Sequence, residues 1–308
     1  MILFGGNGFI GRHLAVAAEN RRPITIVARR KDSGFLSRFA PSAGFMYLED
    51  FSGPAGDELI GSASSFVYLA NTSIPASNIY VPWTEMSENV VPALQAFMRV
   101  GAINPHARVI FASSGGTIYG DEHARPISET SELRPISPYG LAKIYTEEAL
   151  RYAARKTGVD YAILRISNPV GRWHADRGQG LVEAAVRRAL ARERLVIYGD
   201  GHNIRDYFDA DDLAEAVIKV ADMPGPTADV WNVGSGIGLS VRDVGALVSE
   251  EIGEPLKMLF EPARGTDVRY SVLDVTKIGD ALGWKTLTPM RHTISKLLNN
   301  FRNEKLSS

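Results

Sequence analysis

Short apolar runs alternate with longer amphipathic stretches through the first half of the chain. Ile2–Phe4, Ile24–Ala28, Ser65–Ala70, Arg108–Ala112 and Tyr161–Ile166 are brief and mostly rich in β-branched or aromatic residues, the pattern of buried strands. Between them, Gly11–Asn20, Thr84–Val100 and Pro138–Lys156 are long enough for helices. The alternation predicts an α/β fold, a doubly wound parallel sheet with helices on both faces and right-handed crossovers.

The rhythm changes after residue 168. Gly171–Gly180 is polar, Leu181–Arg194 reads as a helix, and Leu195–Tyr198 as a strand before the Gly199-Asp-Gly201 turn. Asp209-Ala-Asp-Asp212 reads as the cap and acidic first turn of another helix. From Ser240 onward the pattern predicts two helices around a strand at Lys257–Glu261. With no repeat, low-complexity tract or long linker, two interleaved parts are expected. The first is residues 1–168 with part of 203–235, and the second is a smaller domain over 169–308.

Composition narrows the chemistry. Of 308 residues, 45% are apolar and 22% charged, enough for a sizeable core. Thirty-four Lys and Arg against 35 Asp and Glu leave a net charge of -1, so no global positive field gathers nucleic acid or an anionic membrane. The absence of cysteine excludes disulfides, thiolate zinc sites, iron–sulfur clusters and cysteine nucleophiles. Six scattered histidines form no pair at helical spacing, so no metal site is expected. No apolar run approaches the ~20 residues of a membrane helix. The N-terminus meets glycines without a basic leader, and a cytoplasmic location is the expectation.

Gly5-Gly6-Asn7-Gly8-Phe9-Ile10-Gly11 follows the first strand and opens the first helix. Glycines at 5, 8 and 11 suit a tight turn, close approach of backbone to a pyrophosphate, and close helix–strand packing. The helix N-terminus supplies free N–H groups for phosphate. This context predicts a Rossmann-type dinucleotide site. In NAD-binding members of that fold the second strand ends in an acidic residue for the ribose hydroxyls, ~20 residues after the glycines. Here Arg29, eighteen residues beyond Gly11, occupies that position and Arg30 follows. Guanidinium groups pair with a 2′-phosphate that a carboxylate would repel, so NADP is expected in preference to NAD.

Tyr139 and Lys143 lie four residues apart in a predicted helix, which places them on one face. An ammonium near a phenol favours phenolate, so Tyr139 is expected to serve as an acid or base near neutral pH, below its model value of ~10. An isolated Tyr-x-x-x-Lys carries little weight. Upstream, however, Val109–Ala112 runs into Ser113-Ser114-Gly-Gly-Thr117-Ile-Tyr119-Gly120, setting hydroxyls at the carboxyl end of a parallel strand, where open α/β sheets bind ligands.

With these segments in hand, the chain resembles the extended short-chain dehydrogenase/reductases, specifically the NAD-dependent epimerase/dehydratase group that modifies nucleotide sugars. The matching segments are GGNGFIG, SSGGTIYGDEHARPISET, SPYGLAK, RISNPVG, YGDGHNIRDYFDADDLAEAV, NVGSG and PARGTD, in that order along nearly the whole chain. The resemblance implies that Tyr139 is the catalytic acid/base and that Lys143 is its partner and holds the nicotinamide ribose. Ser114 would orient the reacting oxygen, with Thr117 and Ser113 as rivals. Phe9, Ile10, Asp50, Ala70 and Asn89 join the glycines as expected cofactor contacts. Asn168, Arg205, Arg264 and Asp267 would hold a nucleotide-diphosphate sugar, with Thr117 beside them. Family members commonly form homodimers through helices matching 84–100 and 138–156.

Three departures stand out: Arg29 at the acidic ribose position, Tyr68-Leu-Ala-Asn71 where the family has His-Leu-Ala-Ala, and Gly115 where it has its catalytic hydroxyl. Gly115 and Gly116 also remove the acid/base pair that dehydration needs. The expected activity is hydride transfer at a hexose carbon, C4, as a UDP-sugar 4-epimerase or a 4-keto sugar nucleotide reductase. The alternative is a non-catalytic NADP-binding sensor or scaffold of the same fold.

Overall fold

Ile2–Phe4 forms β1, an inner strand of a seven-stranded sheet. The computed structural model describes residues 1–74, 81–121, 126–174, 180–263 and 268–306. The other strands of this sheet are β2 (Thr25–Ala28), β3 (Gly44–Tyr47), β4 (Ser65–Tyr68), β5 (Arg108–Ser114), β6 (Asp160–Ile166) and β10 (Asp229–Val233). Their order is β3-β2-β1-β4-β5-β6-β10, and β3 through β5 pair in parallel. Leu3 sits between Ile26 and Val67 in register. The order reverses direction at β1, between β2 and β4, which in such sheets opens the ligand crevice at the carboxyl ends of the strands. Every residue of β4 is buried, as a strand covered on both faces requires.

The chain divides into two compact units. Met1–Ser114, Ser137–Arg165 and Ala214–Trp231 make the first. Its helices are α1 (Phe9–Ala18), α2 (Ser33–Phe39), α3 (Leu48–Phe51), α4 (Pro54–Ser62), α5 (Pro82–Glu85), α6 (Val91–Ile103) and α7 (Pro138–Thr157), with most of α9 (Ala210–Ala221). One face of its core is aromatic. Phe4 packs on Phe51 and Tyr68 at 5.2 Å between centroids, and Tyr68 on Phe97 at 5.1 Å. Thr84–Val100, expected as one helix, is interrupted by a π-helical turn over Met86–Val90. Such turns recur at functional sites. Strand β3 and the short helices α2 to α4 carry no strong periodicity and were not expected.

Gly115–Ile136, Ile166–Leu213 and Asn232–Ser308 make the second unit. In it β7 (Asn168–Val170) and β13 (Tyr270–Ser271) pair parallel with β9 (Ile204–Asp209), and β11 (Gly238–Ser240) pairs antiparallel with it. Strands β8 (Leu195–Tyr198) and β12 (Met258–Glu261) form a separate parallel pair. Helices α8 (Leu181–Ala191), α10 (Val241–Ile252) and α12 (Met290–Leu306) bury Val186, Val248, Ile294 and Phe301 together. With α11 (Thr276–Leu282), the described residues of the tail hold three helices, not two.

Gly115–Ile136, expected in the first domain, packs with the second for a hydrogen-bonding reason. The Tyr119 hydroxyl donates to Asn232 Oδ1 at 2.8 Å, and Asn232 Nδ2 donates to the Ile127 carbonyl at 2.8 Å. Ile127 N in turn donates to Val272 O at 2.9 Å. No described helix is long and apolar enough to cross a membrane.

Candidate active site

The glycine loop forms where expected, and its glycines are there for different reasons. Gly5 has φ +82, and a Cβ on it would lie 2.7 Å from Ala70 N, so the loops after β1 and β4 approach only if it stays glycine. This is the role the structure shows for Ala70. A Cβ on Gly11 would fall 2.3 Å from Gly6 O, which seats α1 on the loop. Gly8 is exposed, and a Cβ there would meet nothing nearer than Gly5 O at 3.4 Å. The protein itself does not require glycine at 8. It is the N-cap of α1, no side chain caps the helix, and no acidic residue lies in the first turn. The first turn of α1 sets its backbone N–H groups at the positive end of the helix dipole. That cradle fits a pyrophosphate.

Arg29 and Arg30 follow β2 and are exposed. Asn7 Nδ2 donates to the Arg30 carbonyl, tying this basic turn to the glycine loop. The next carboxylate along the chain, Asp32, is already engaged. It caps α2 by accepting from Phe35 N at 2.9 Å and pairs with Arg12 at 2.5 Å. The Phe35 hydrogen bond and Arg12 together hold its pKa below the usual carboxylate range. Asp50 lies exposed in the short helix α3.

At the carboxyl end of β5 the strand's two-residue period separates the two serines. Ser113 is buried and donates to Glu147 Oε1 at 2.7 Å, so its hydroxyl is structural. Ser114, half-buried on the other side, donates to the Tyr139 phenol. Tyr139 enters α7 just after Pro138 at the first turn, and Ser137 caps the helix by accepting from Gly140 N at 3.1 Å. One turn further, Lys143 is buried and donates to Ala112 O at 3.2 Å, with Nζ 5.4 Å from the Tyr139 ring centre. Ser114, Tyr139 and Lys143 therefore come together as the sequence predicts.

The electrostatics differ from the expectation in sign. Burial pushes the Tyr139 phenol above its ordinary value, and Glu85 pushes it the same way, while the Ser114 hydrogen bond works against them. Burial pulls Lys143 down to about 8, although Glu85 and Glu147 favour its charged form. Lys143 alone does not offset desolvation of the phenol, so Tyr139 holds its proton at neutral pH.

Two buried carboxylates escaped the sequence reading. Glu147 sits a further turn along α7, the third residue of the face that carries Tyr139 and Lys143. It accepts from Arg165 Nε at 3.0 Å and from a second Arg165 nitrogen at 2.8 Å. Glu85 ends α5 and accepts from Asn89 Nδ2 at 2.7 Å and Ser73 Oγ at 2.9 Å. Asn89 is buried, and its oxygen accepts from Thr72 N at 2.9 Å, so its side chain tethers the loop after β4. A four-residue repeat from Tyr139 would have flagged Glu147; no local signal marks Glu85.

In the second unit, Asn168 Nδ2 donates to the Asp206 carbonyl at 3.1 Å, and Arg205 lies half-buried on the neighbouring strand β9. Asp206 accepts from Ser235 N at 2.7 Å and Gly236 N at 3.2 Å, fixing the Asn-Val-Gly-Ser-Gly turn beside β9. Thr117 has a buried Oγ1 with no hydrogen-bond partner. Arg264 and Asp267 lie outside the described residues.

A glycine cradle on a Rossmann-type sheet, with a buried lysine and a half-buried tyrosine and serine at the strand ends, defines a dinucleotide-dependent α/β fold equipped for proton transfer. The sequence profile of the NAD dependent epimerase/dehydratase family matches residues 1–234, and the chain belongs to that family. It is 28% identical over 312 residues to dTDP-4-dehydro-6-deoxyglucose reductase of Escherichia coli, covering 98% of this chain and 97% of the relative. The structure of UDP-glucose 4-epimerase with UDP-glucose from Thermotoga maritima superposes with a TM-score of 0.86 at 29% identity, covering 99% of each chain. MoeE5 in complex with UDP-glucuronic acid and NAD superposes at 0.82 with 26% identity, covering 98% of this chain and 99% of the other.

Proposed function

We propose that the protein moves a hydride between a nicotinamide cofactor and C4 of a nucleotide-diphosphate hexose, as a 4-epimerase. The observation that carries this reading is the set Ser114–Tyr139–Lys143 at the carboxyl end of β5, in the same unit as the glycine cradle. When bound, the nicotinamide supplies the hydride acceptor and donor. The α1 N-terminus at Phe9–Gly11 holds its pyrophosphate, and Lys143 its ribose hydroxyls. Tyr139 removes the C4 hydroxyl proton and returns a proton to the keto oxygen. Its raised pKa makes the cofactor-free site an acid, and an added nicotinium charge would lower that pKa toward neutrality. Ser114, already donating to the Tyr139 oxygen, orients the same sugar oxygen. Asn168, Arg205 and the unpartnered Thr117 hydroxyl bind the substrate, with Arg264 and Asp267 assigned to its nucleotide by family pattern.

A second reading, a 4-keto sugar nucleotide reductase that consumes NADPH, is favoured by one observation. Arg29 and Arg30 stand exposed on a turn tied to the glycine loop, while Asp32 is occupied by Arg12 and the α2 cap. Both outcomes share the same residues. We further propose a homodimer built on α6 and α7, because Val91, Tyr145 and Tyr152 are large apolar residues exposed on those helices.

The test is direct. Purified protein is denatured and assayed for released NAD(H) and NADP(H), then the stripped protein is titrated with each. Retained NAD supports the self-contained epimerase, and a tenfold preference for NADPH, about 1.4 kcal/mol, supports the reductase. Tyr139→Phe should abolish turnover and keep cofactor binding. Unchanged behaviour in that variant would instead support a non-catalytic sensor.

A further inference from the structure

The π-helical turn at Met86–Val90 begins directly after Glu85, a carboxylate that is 1% exposed. Among the described residues its hydrogen bonds, from Ser73 and Asn89, fall on Oε2 and come from neutral donors. Its Oε1 is buried without a hydrogen-bond partner. Asn71, the family departure that the proposed reaction leaves unused, belongs to the same network. Its amide donates to Ser73 O at 2.7 Å and to Ser73 Oγ at 3.0 Å, which orients the hydroxyl that Ser73 gives to Glu85.

A buried carboxylate held only by neutral donors needs a cation. Helix α5 packs against α7, and the charge of Glu85 acts on Tyr139 and Lys143 there. The π turn contributes Asn89 and the exposed Glu88, whose carboxylate accepts from Thr72. The other buried carboxylate near Lys143, Glu147, is already matched by Arg165 and Arg151. Lys143 in turn donates to the neutral Ala112 carbonyl. Among the described residues, Glu85 has no cationic hydrogen-bond partner and Lys143 no anionic one.

We propose that Glu85 is a positioning residue for the reaction assigned above, the buried counter-charge that keeps Lys143 an ammonium beside Tyr139. It acts through Lys143 and by fixing Asn89, and it is held in place by Ser73 and Asn71. The inference rests on the proposed function only for what the ammonium does, which is to hold the cofactor ribose. Its direction agrees with the titration of Lys143, which Glu85 raises against the effect of burial.

Cofactor affinity is measured from pH 6 to 10 for the full chain, Glu85→Gln and Glu85→Asp. Wild type should lose affinity with a midpoint near the Lys143 value of about 8. Glu85→Gln, which can still accept from Ser73 and Asn89, should move the midpoint down by about one pH unit. Binding at pH 8 would then be roughly fivefold weaker but near wild type at pH 6. Glu85→Asp should restore the midpoint. An equal loss at every pH with an unmoved midpoint would mean a structural role only and overturn the proposal. Failure of wild type to bind either cofactor would sink the proposed function and not this inference. Titration of the Lys143 Nζ by nitrogen-15 NMR in cofactor-free protein, assigned with Lys143→Met, reads the same midpoint independently. A wild-type midpoint below pH 7 there overturns the proposal even if Glu85→Gln does not fold.

Discussion

Arg165→Met is the sharpest test of how the active-site helix is anchored. Glu147 is fully buried, Arg165 is 4% exposed, and two Arg165 nitrogens reach the carboxylate at 2.8 and 3.0 Å. Removing one partner of a buried pair leaves an uncompensated charge and costs about 3–5 kcal/mol. Ser113 at 2.7 Å and Arg151 at 3.3 Å remain on Glu147, which places the expected loss at the lower end, about 3 kcal/mol. That is a large share of a typical folding free energy of about 5–15 kcal/mol. Urea unfolding followed by far-UV circular dichroism measures it. The double variant Glu147→Leu with Arg165→Met replaces both charges with apolar groups and should recover much of the loss, giving a coupling above about 2 kcal/mol. A single-variant loss under about 1 kcal/mol, or additive effects in the cycle, would refute the claim that this pair fixes α7 to the sheet.

Gly5→Ala meets both positive φ and a 2.7 Å clash with Ala70, so it should destabilise the fold by more than about 2 kcal/mol, whereas Gly8→Ala should leave unfolding unchanged and weaken cofactor binding at least tenfold. Ser113→Ala should cost about 1–2 kcal/mol of stability with kcat retained, and Ser114→Ala should lower kcat with stability retained; steady-state kinetics beside melts separate them. Burial raises the Glu183 carboxyl to about 7, so folded protein binds the extra proton between the ordinary carboxylate value and 7, and stability falls as pH rises through that window. Glu183→Gln should therefore stabilise the protein by up to about 3 kcal/mol at pH 8 and hardly at all at pH 4; equal effects at both pH values would contradict the assignment.

What was legible in the sequence was local. The glycine loop and the Tyr139–Lys143 spacing are read within a few residues, because a turn or one helix face determines both. The sequence did not distinguish the surroundings of Ser113 and Ser114, which the alternation of side chains along β5 turns to Glu147 and Tyr139 respectively. Glu85 and Arg165 were not legible, since each matters through partners brought close by the fold, as in the 18-residue separation of Arg165 from Glu147. The π turn has no compositional signal, and one inserted residue is invisible to a pattern counted at 3.6 per turn. The sign of the Tyr139 shift depended on burial, which spacing does not report. The allegiance of Gly115–Ile136 to the second unit rested on Asn232, more than 100 residues away.

The central claim is that hydride passes between the cofactor and C4 while Tyr139 handles the proton. The most direct measurement supplies a 4-keto nucleotide hexose with cofactor carrying deuterium at the nicotinamide C4 and locates the label by proton NMR. The account predicts deuterium at sugar C4 with wild type, and none with Tyr139→Phe despite retained cofactor binding. Label at another sugar carbon, or transfer undiminished in Tyr139→Phe, would contradict it.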